Sequence, residues 1–158
     1  MKRLFVMCLT TIVFTAFWCT TVFAAEELYT DTGEPSKTIL IETEGQPITR
    51  GLFVNDHTVT FDILWTVSSS GWIRADMQQF TSPATTYFKM WCSQTMQQPN
   101  GSIVSGGSAT MMYCTNFFWK DGKHFTSRGP YTCYGQFSGW LSALSMTYKQ
   151  PKTESRTY

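Results

Sequence analysis

Val59, Phe61, Ile63, Trp65 and Val67 fall on alternate positions of one ten-residue run, with Thr60, Asp62 and Thr66 between them. That period of two belongs to a strand with one face buried. A helix would scatter the five apolar side chains around its circumference. Leu64 is the single departure. Thr58 to Val67 is therefore predicted to be a half-buried strand, and Ser68-Ser69-Ser70-Gly71 ends it as a turn.

The same period organises the residues that follow. Trp72 to Phe80 places Ile73, Ala75 and Met77 on one face and Trp72, Arg74 and Asp76 on the other. Thr81-Ser82-Pro83 turns the chain. Thr85 to Met96 places Phe88, Met90 and Cys92 against Tyr87, Lys89 and Trp91. Both of its faces hold large apolar groups, so this strand is either central in a sandwich or shows its Tyr87/Trp91 face to a partner. Gln97 to Gly101 and Gly106-Gly107 bracket a loop. Its Asn100-Gly101 pair accepts positive φ, and the sequon Asn100-Gly101-Ser102 is read as turn chemistry. Ser108 to Trp119 is the next strand, and Asp121-Gly122 is the strongest hairpin signal in the chain. Tyr131 to Phe137 follows. Trp140 to Tyr148 closes the sheet with Leu144, Met146 and Tyr148 on the Trp140 face. Short strands with frequent turns and no long helical period predict an all-β fold over residues 51–148, a small antiparallel β-sandwich. An SH3-like or other small β-barrel is the alternative. Residues 149–158 read as a polar tail.

The N-terminus reads differently. Lys2 and Arg3 precede an apolar stretch from Leu4 to Thr21, and Val22-Phe23-Ala24 supplies a small residue before a cleavage point. Residues 1–24 are expected to be a secretory signal peptide. The short Met-Lys-Arg start points to a bacterial source, and the chain is expected to be secreted or held at the cell surface. No later segment is apolar enough to span a bilayer, so no transmembrane segment is expected after signal removal. Residues 25–50 read as an acidic, extended lead-in or a propeptide, with Thr38 to Ile41 as its one short strand.

Charge is distributed unevenly. Residues 25–62 hold eight acids and two bases, whereas residues 63–158 hold three acids and eight bases. A basic, aromatic body after an acidic lead-in fits an anionic surface such as a cell-wall polymer or lipid headgroups. The bases are scattered, which argues against nucleic acid. Aromatic residues make up 16% of the chain and charged residues 15%, a balance that excludes a disordered polyelectrolyte.

Cys92, Cys114 and Cys133 lie beyond the leader. Outside the cytoplasm thiols tend to pair. Three leave one over, to stay buried or to join two chains, which opens a homodimer. A long hairpin turning between Met96 and Ser108 would set Cys92 roughly opposite Cys114, and that disulfide is the favoured one. Spacings of 22 and 19 residues make no CxxC pair, and only His57 and His124 are available to help, so no zinc site or other cofactor is expected.

Catalytic constellations are sparse. No Gly-x-Ser-x-Gly elbow is present. Cys133, His124 and Asp121 form the one imaginable nucleophile set. Asp56, Asp62, Asp76 and Asp121 are the only aspartates of the body, too few for a clear acid–base pair. Asp62 and Asp76, across the turn at Ser68 to Gly71, must be offset in register or share a proton or cation, because directly opposed like charges are unfavourable. The expectation is a non-enzymatic protein. Residues 72–148 hold fifteen aromatics; core packing can absorb many of them, and the remainder suits a binding face. Trp72, Arg74, Tyr87, Lys89, Trp91, Trp119, Lys120 and Lys123 are the candidate binding residues, because Tyr and Trp combine contact area with polar tips.

Two short stretches carry resemblances. Trp72-Ile73-Arg74-Ala75 followed by Ala84-Thr85-Thr86-Tyr87-Phe88 resembles the lactococcin 972-type secreted bacteriocins, small exported β-sandwiches rich in Trp and Tyr. That resemblance implies a secreted toxin acting on other bacteria. This chain is longer, carries three cysteines beyond the expected leader and has an acidic lead-in, and no functional residue carries over. Gly71-Trp72-Ile73-Arg74-Ala75 is similar to the Gly-Trp-hydrophobic strand of bacterial SH3-like wall-binding domains. The sequence as a whole reads as a secreted β domain that meets a cell-envelope surface, or another protein, through an aromatic and basic face. A bacteriocin-like toxin and a small extracellular hydrolase are the alternatives.

Overall fold

The computed structural model describes residues 35–43, 55–120 and 123–158, and the backbone of residues 27–29, 47–48 and 52–53. The expected signal peptide, most of the lead-in and the Asp121-Gly122 hairpin lie outside the described residues. Eleven strands follow in order: β1 (Glu27–Tyr29), β2 (Lys37–Ile41), β3 (Pro47–Ile48), β4 (Leu52–Phe53), β5 (His57–Ser68), β6 (Trp72–Ser82), β7 (Tyr87–Gln97), β8 (Ile103–Cys114), β9 (Asn116–Trp119), β10 (Pro130–Trp140) and β11 (Tyr148–Thr157).

These strands build two antiparallel sheets, as the alternation predicts. The first runs β9-β6-β5, with β1 and β2 pairing along the far side of β5; the second runs β11-β10-β7-β8. β3 and β4 pair only with each other. Among the described residues no ladder joins the two main sheets, so the fold is a sandwich and not a closed barrel.

The alternating residues do what their period requires. Val59, Phe61, Ile63 and Trp65 of β5 are buried against Ile73, Ala75 and Met77 of β6, and they face Met90, Cys92, Met96 and Phe137 of the second sheet. Each such side chain stabilises the fold by roughly 1.5–3 kcal/mol on burial. The β5–β6 turn closes through Gly71, whose φ of +91° suits glycine and whose N–H donates to Ser68 O at 3.0 Å. At Gly135 on β10 side chains of the first sheet come close to the backbone of the second. A Cβ there would lie 2.7 Å from Met77 Cε and 3.1 Å from Ile63 Cδ1, so only glycine lets the first sheet's side chains reach the second sheet's backbone.

Four expectations are corrected. First, the loop at 97–107 is shorter than predicted. Gln98 N–H donates to Ser102 O at 2.9 Å and Ser102 N–H to Asn100 Oδ1 at 3.0 Å, so the strand resumes at Ile103. Second, the single strand predicted from Ser108 to Trp119 is two. The chain breaks around Tyr113, at φ +51°, and β9 leaves the second sheet to pair with β6 in the first. Third, residues 141–147 form an irregular loop, not a strand, with Leu144 95% exposed. Fourth, the expected polar tail is β11, paired with β10 along its whole length. Its inward positions carry Lys152 and Glu154, so charge hid the alternation from a search for apolar residues.

Tight closure of the β7–β8 turn also disposes of the expected disulfide. It sets Cys92 opposite Ala109 and Cys114 opposite Tyr87. Five strand residues separate Cys114 from Cys92's partner, about 17 Å along the strand. Cys92, Cys114 and Cys133 are all free thiols.

Candidate binding surface

The eight residues singled out from sequence do not share one face. Tyr87 and Trp119 are core residues. Tyr87 is fully buried, and its hydroxyl meets His57 Nε2 at 2.8 Å while His57 Nδ1 lies 2.9 Å from Asn55 O. The carbonyl at Asn55 fixes the ring: Nδ1–H donates to it, which leaves Nε2 to accept from the Tyr87 phenol. Tyr148 completes this buried group. It donates to Gln79 Oε1 at 2.8 Å, and its ring packs edge-on to Tyr87 at 5.5 Å. Burial raises both phenols above their ordinary pKa, and for Tyr148 the neighbouring Tyr87 adds to the effect. Trp119 packs inward, its ring against the backbone of Gly107.

Trp72 and Arg74 lie together on the outer face of the first sheet. Arg74 grips Asp76 with two hydrogen bonds, Nε to Oδ1 at 2.6 Å and Nη2 to Oδ2 at 3.1 Å. Thr66 Oγ1 donates to the same carboxylate at 2.5 Å. His124 stacks on Trp72 at 4.1 Å and meets Arg74 Nη1 at 3.2 Å. Arg74 and Asp76 are both buried. This cluster reads as an internal brace, and its guanidinium is engaged within the fold. Sequence reasoning missed Asp76 and His124 as its members. Asp62 and Asp76 share this outer face but are offset by register, Asp62 opposite Gln78 and Asp76 opposite Leu64. The imagined Cys133/His124/Asp121 set is not assembled by its described members. Cys133 is in the core, donating to Gln94 Oε1 at 3.6 Å, while His124 is exposed on the outside of the other sheet. Lys120 and Lys123 are exposed near the end of β9, with Lys120 Nζ 5.5 Å from the Phe118 ring.

Lys89 and Trp91 are the two sequence candidates that the fold does bring together on an accessible face. β7 is central in the second sheet, and its odd-numbered residues from Lys89 onward point outward. Register places Met112 and Trp140 on either side of Lys89, and Thr110 and Ser138 on either side of Trp91. Lys89 Nζ sits 3.6 Å above the Trp140 ring, a cation–π contact of about 0.5–2 kcal/mol. Lys149 stands opposite Ser138 one strand further on, and Tyr134 lies two rows beyond Trp91, 42% exposed. Ser, Thr, Gln and Pro fill most of the remaining outward positions of β7, β10 and β11. The outer face of these three strands thus holds two lysines, three aromatics and no carboxylate. At its end by Lys89 the face includes the exposed Met112, and further exposed apolar groups lie nearby: Met111, which stands opposite the inward Met90, Tyr113 and, on the 141–147 loop, Leu144 and Met146. Trp140, Tyr134, Met112 and Lys149 were not among the sequence candidates. Only the register, which no single strand's pattern contains, aligns them with Lys89 and Trp91.

Among the described residues no group of His, Cys, Asp and Glu is gathered to hold a metal ion, and no helix is long and apolar enough to cross a membrane. No family model, curated protein or solved structure matches the chain.

Proposed function

We propose that this protein is a non-enzymatic, exported binding module whose second sheet docks on an anionic cell-envelope surface. The observation that carries this reading is the composition of that sheet's outer face: Lys89, Lys149, Trp91, Trp140 and Tyr134 among neutral hydroxyl and amide side chains, with no acid on β7, β10 or β11 facing outward. A large exposed apolar patch with a polar surround marks an interaction site in a soluble fold. Indole and phenol rings give wide contact with a polar tip, and the two lysines favour phosphate or carboxylate groups. Partners of that chemistry include acidic wall polymers and acidic lipid headgroups.

Co-sedimentation tests the reading. The chain recovered from expression of the full sequence is pelleted with isolated bacterial cell walls and, separately, with anionic liposomes, at low and high salt. Pelleting with one of these surfaces, weakened by salt because exposed charges are screened, is the expected result. Trp91→Ala and Lys89→Ala are expected to reduce it while the thermal transition is kept. Recovery in the supernatant with both surfaces at low salt overturns the reading.

A further inference from the structure

The sandwich ends in several strand edges, and they are not alike. β11 is guarded by Lys149, Pro151, Lys152, Glu154 and Arg156, and Lys37 Nζ reaches across from β2 to Pro151 O at 3.1 Å. β2 has five residues and opens on Lys37; β9 has four and is followed by Lys120. Short length, proline, charge and β-bulges are means by which sheet edges avoid pairing with other chains. β8 lacks the first three and has one register irregularity of the last kind. It is twelve residues long, Ile-Val-Ser-Gly-Gly-Ser-Ala-Thr-Met-Met-Tyr-Cys, without a charged side chain or a proline. It is the last strand of its sheet, and among the described residues its ladder is with β7 alone. One irregularity interrupts it, the register shift opposite Gln94 and Thr95, and beyond this Gly107 to Met112 pairs regularly. The backbone groups on its far side are a row of donors and acceptors awaiting a strand.

We infer that the open edge of β8 pairs antiparallel with β8 of a second copy of this chain. Three features select a copy of itself. An antiparallel strand pair has a two-fold axis, so the same surface serves both partners. A strand with no charged residue opposes no like charges in any register of self-pairing. The whole chain carries a net charge of only +1, so copies are not held apart by long-range repulsion. Met111, Met112 and Tyr113, the last 72% exposed, stand beside this edge and lose apolar surface to water as it is covered. The axis is normal to the sheet. Both outer faces therefore lie on the same side, and the Lys89/Trp91 surface is doubled without any new contact to its ligand. The pairing itself does not depend on what that surface binds.

Sedimentation velocity and hydrogen exchange on the chain recovered from expression of the full sequence test this together. The expected result is a dimer whose fraction rises with micromolar protein concentration, with slowed exchange of β8 backbone amides in the dimer. Ser108→Lys with Thr110→Lys, which sets lysines near one another across the pair, should raise the dissociation constant at least about tenfold, equivalent to about 1.4 kcal/mol. Its melting temperature should match the wild type's when both are monomeric. A wild-type chain that stays monomeric at high micromolar concentration overturns the inference and leaves a foreign strand as the edge's partner. A dimer whose β8 amides exchange as fast as in the monomer overturns it as well.

Discussion

Lys152→Met removes the ammonium at the seam between the two sheets. Lys152 Nζ lies 2.5 Å from Glu154 Oε1 and donates to Asp62 Oδ1 at 2.8 Å. The Lys152 and Glu154 side chains are 5% and 1% exposed. At such separations each unit-charge pair is worth about 6 kcal/mol at an effective dielectric of about 20, offset by the cost of drying the ions. Methionine fills the same volume and has no desolvation cost of its own, but it leaves the Glu154 charge inside without that ammonium. Breaking a buried pair from one side costs about 3–5 kcal/mol. For a domain of this size that lowers the melting temperature by roughly 10–15 °C. The loss has a pH signature. Without the ammonium, the folded state holds the Glu154 proton more tightly than the unfolded chain does. The variant's stability is then kept below the ordinary glutamate range near 4.3 and falls as pH rises through and above it. Urea unfolding of wild type and Lys152→Met at pH 4 and pH 8 measures both effects, and Lys152→Met with Glu154→Gln should recover most of the deficit. A loss under about 1 kcal/mol, the scale of an exposed pair, or a deficit equal at both pH values, would refute the reasoning.

Alkali should unfold the protein through several groups at once. Burial pushes the Cys92 thiol up to about 12 and raises Cys133, Tyr87 and Tyr148, while for Lys152 burial acts downward but the Asp62 and Glu154 carboxylates outweigh it and leave its pKa raised. A raised folded pKa gives stability that is complete below the unfolded value and lost above it, so the denaturation midpoint should fall steadily from about pH 9 upward. The same burial makes the thiols inert, and Ellman's reagent at pH 8 should find Cys92 and Cys133 only after denaturant is added. Gly135→Ala should cost about 1–3 kcal/mol by forcing Met77 and Ile63 away from β10, seen as a lower melting temperature. Tyr148→Phe should cost about 1–3 kcal/mol in urea unfolding, because Gln79 Oε1 stays buried without the phenol that donates to it.

Much of the architecture was legible in the chain because β5 and β6 place small or apolar side chains on one face and most of their polar ones on the other. The run from Val59 to Trp65 and the trio Ile73, Ala75 and Met77 are all buried as their period requires. Legibility failed where the period was carried by something other than apolar side chains. β11 alternates Lys152, Glu154 and Arg156 inward against Pro151, Thr153 and Ser155 outward, so its strand hid inside an apparent tail. It failed in the opposite sense at Leu144 and Met146, which alternate and yet lie on an exposed loop, because Thr147 N–H turns back to Gly139 O at 2.7 Å. The split between β8 and β9 depends on a positive φ at Tyr113, a residue type that does not announce one.

The basic body shows the same limit for function. Residues 63–158 hold eight bases against three acids, which reads as a positive surface. The fold buries two of those bases: Arg74 is engaged with Asp76 and His124, and Lys152 sits between Asp62 and Glu154. Lys120, Lys123 and Arg128 belong to the exposed segment around β9 and after it. Arg156 is partly buried on the inward side of β11, so what remains for the outer face of the second sheet is a pair, Lys89 and Lys149. Two lysines would be a weak attraction on a mixed surface. They matter here because no carboxylate shares their face on β7, β10 or β11, and because the Trp140 ring holds Lys89 against the sheet. The net charge of the chain is therefore a poor guide to where charge is displayed, and the arrangement of the second sheet is the better one.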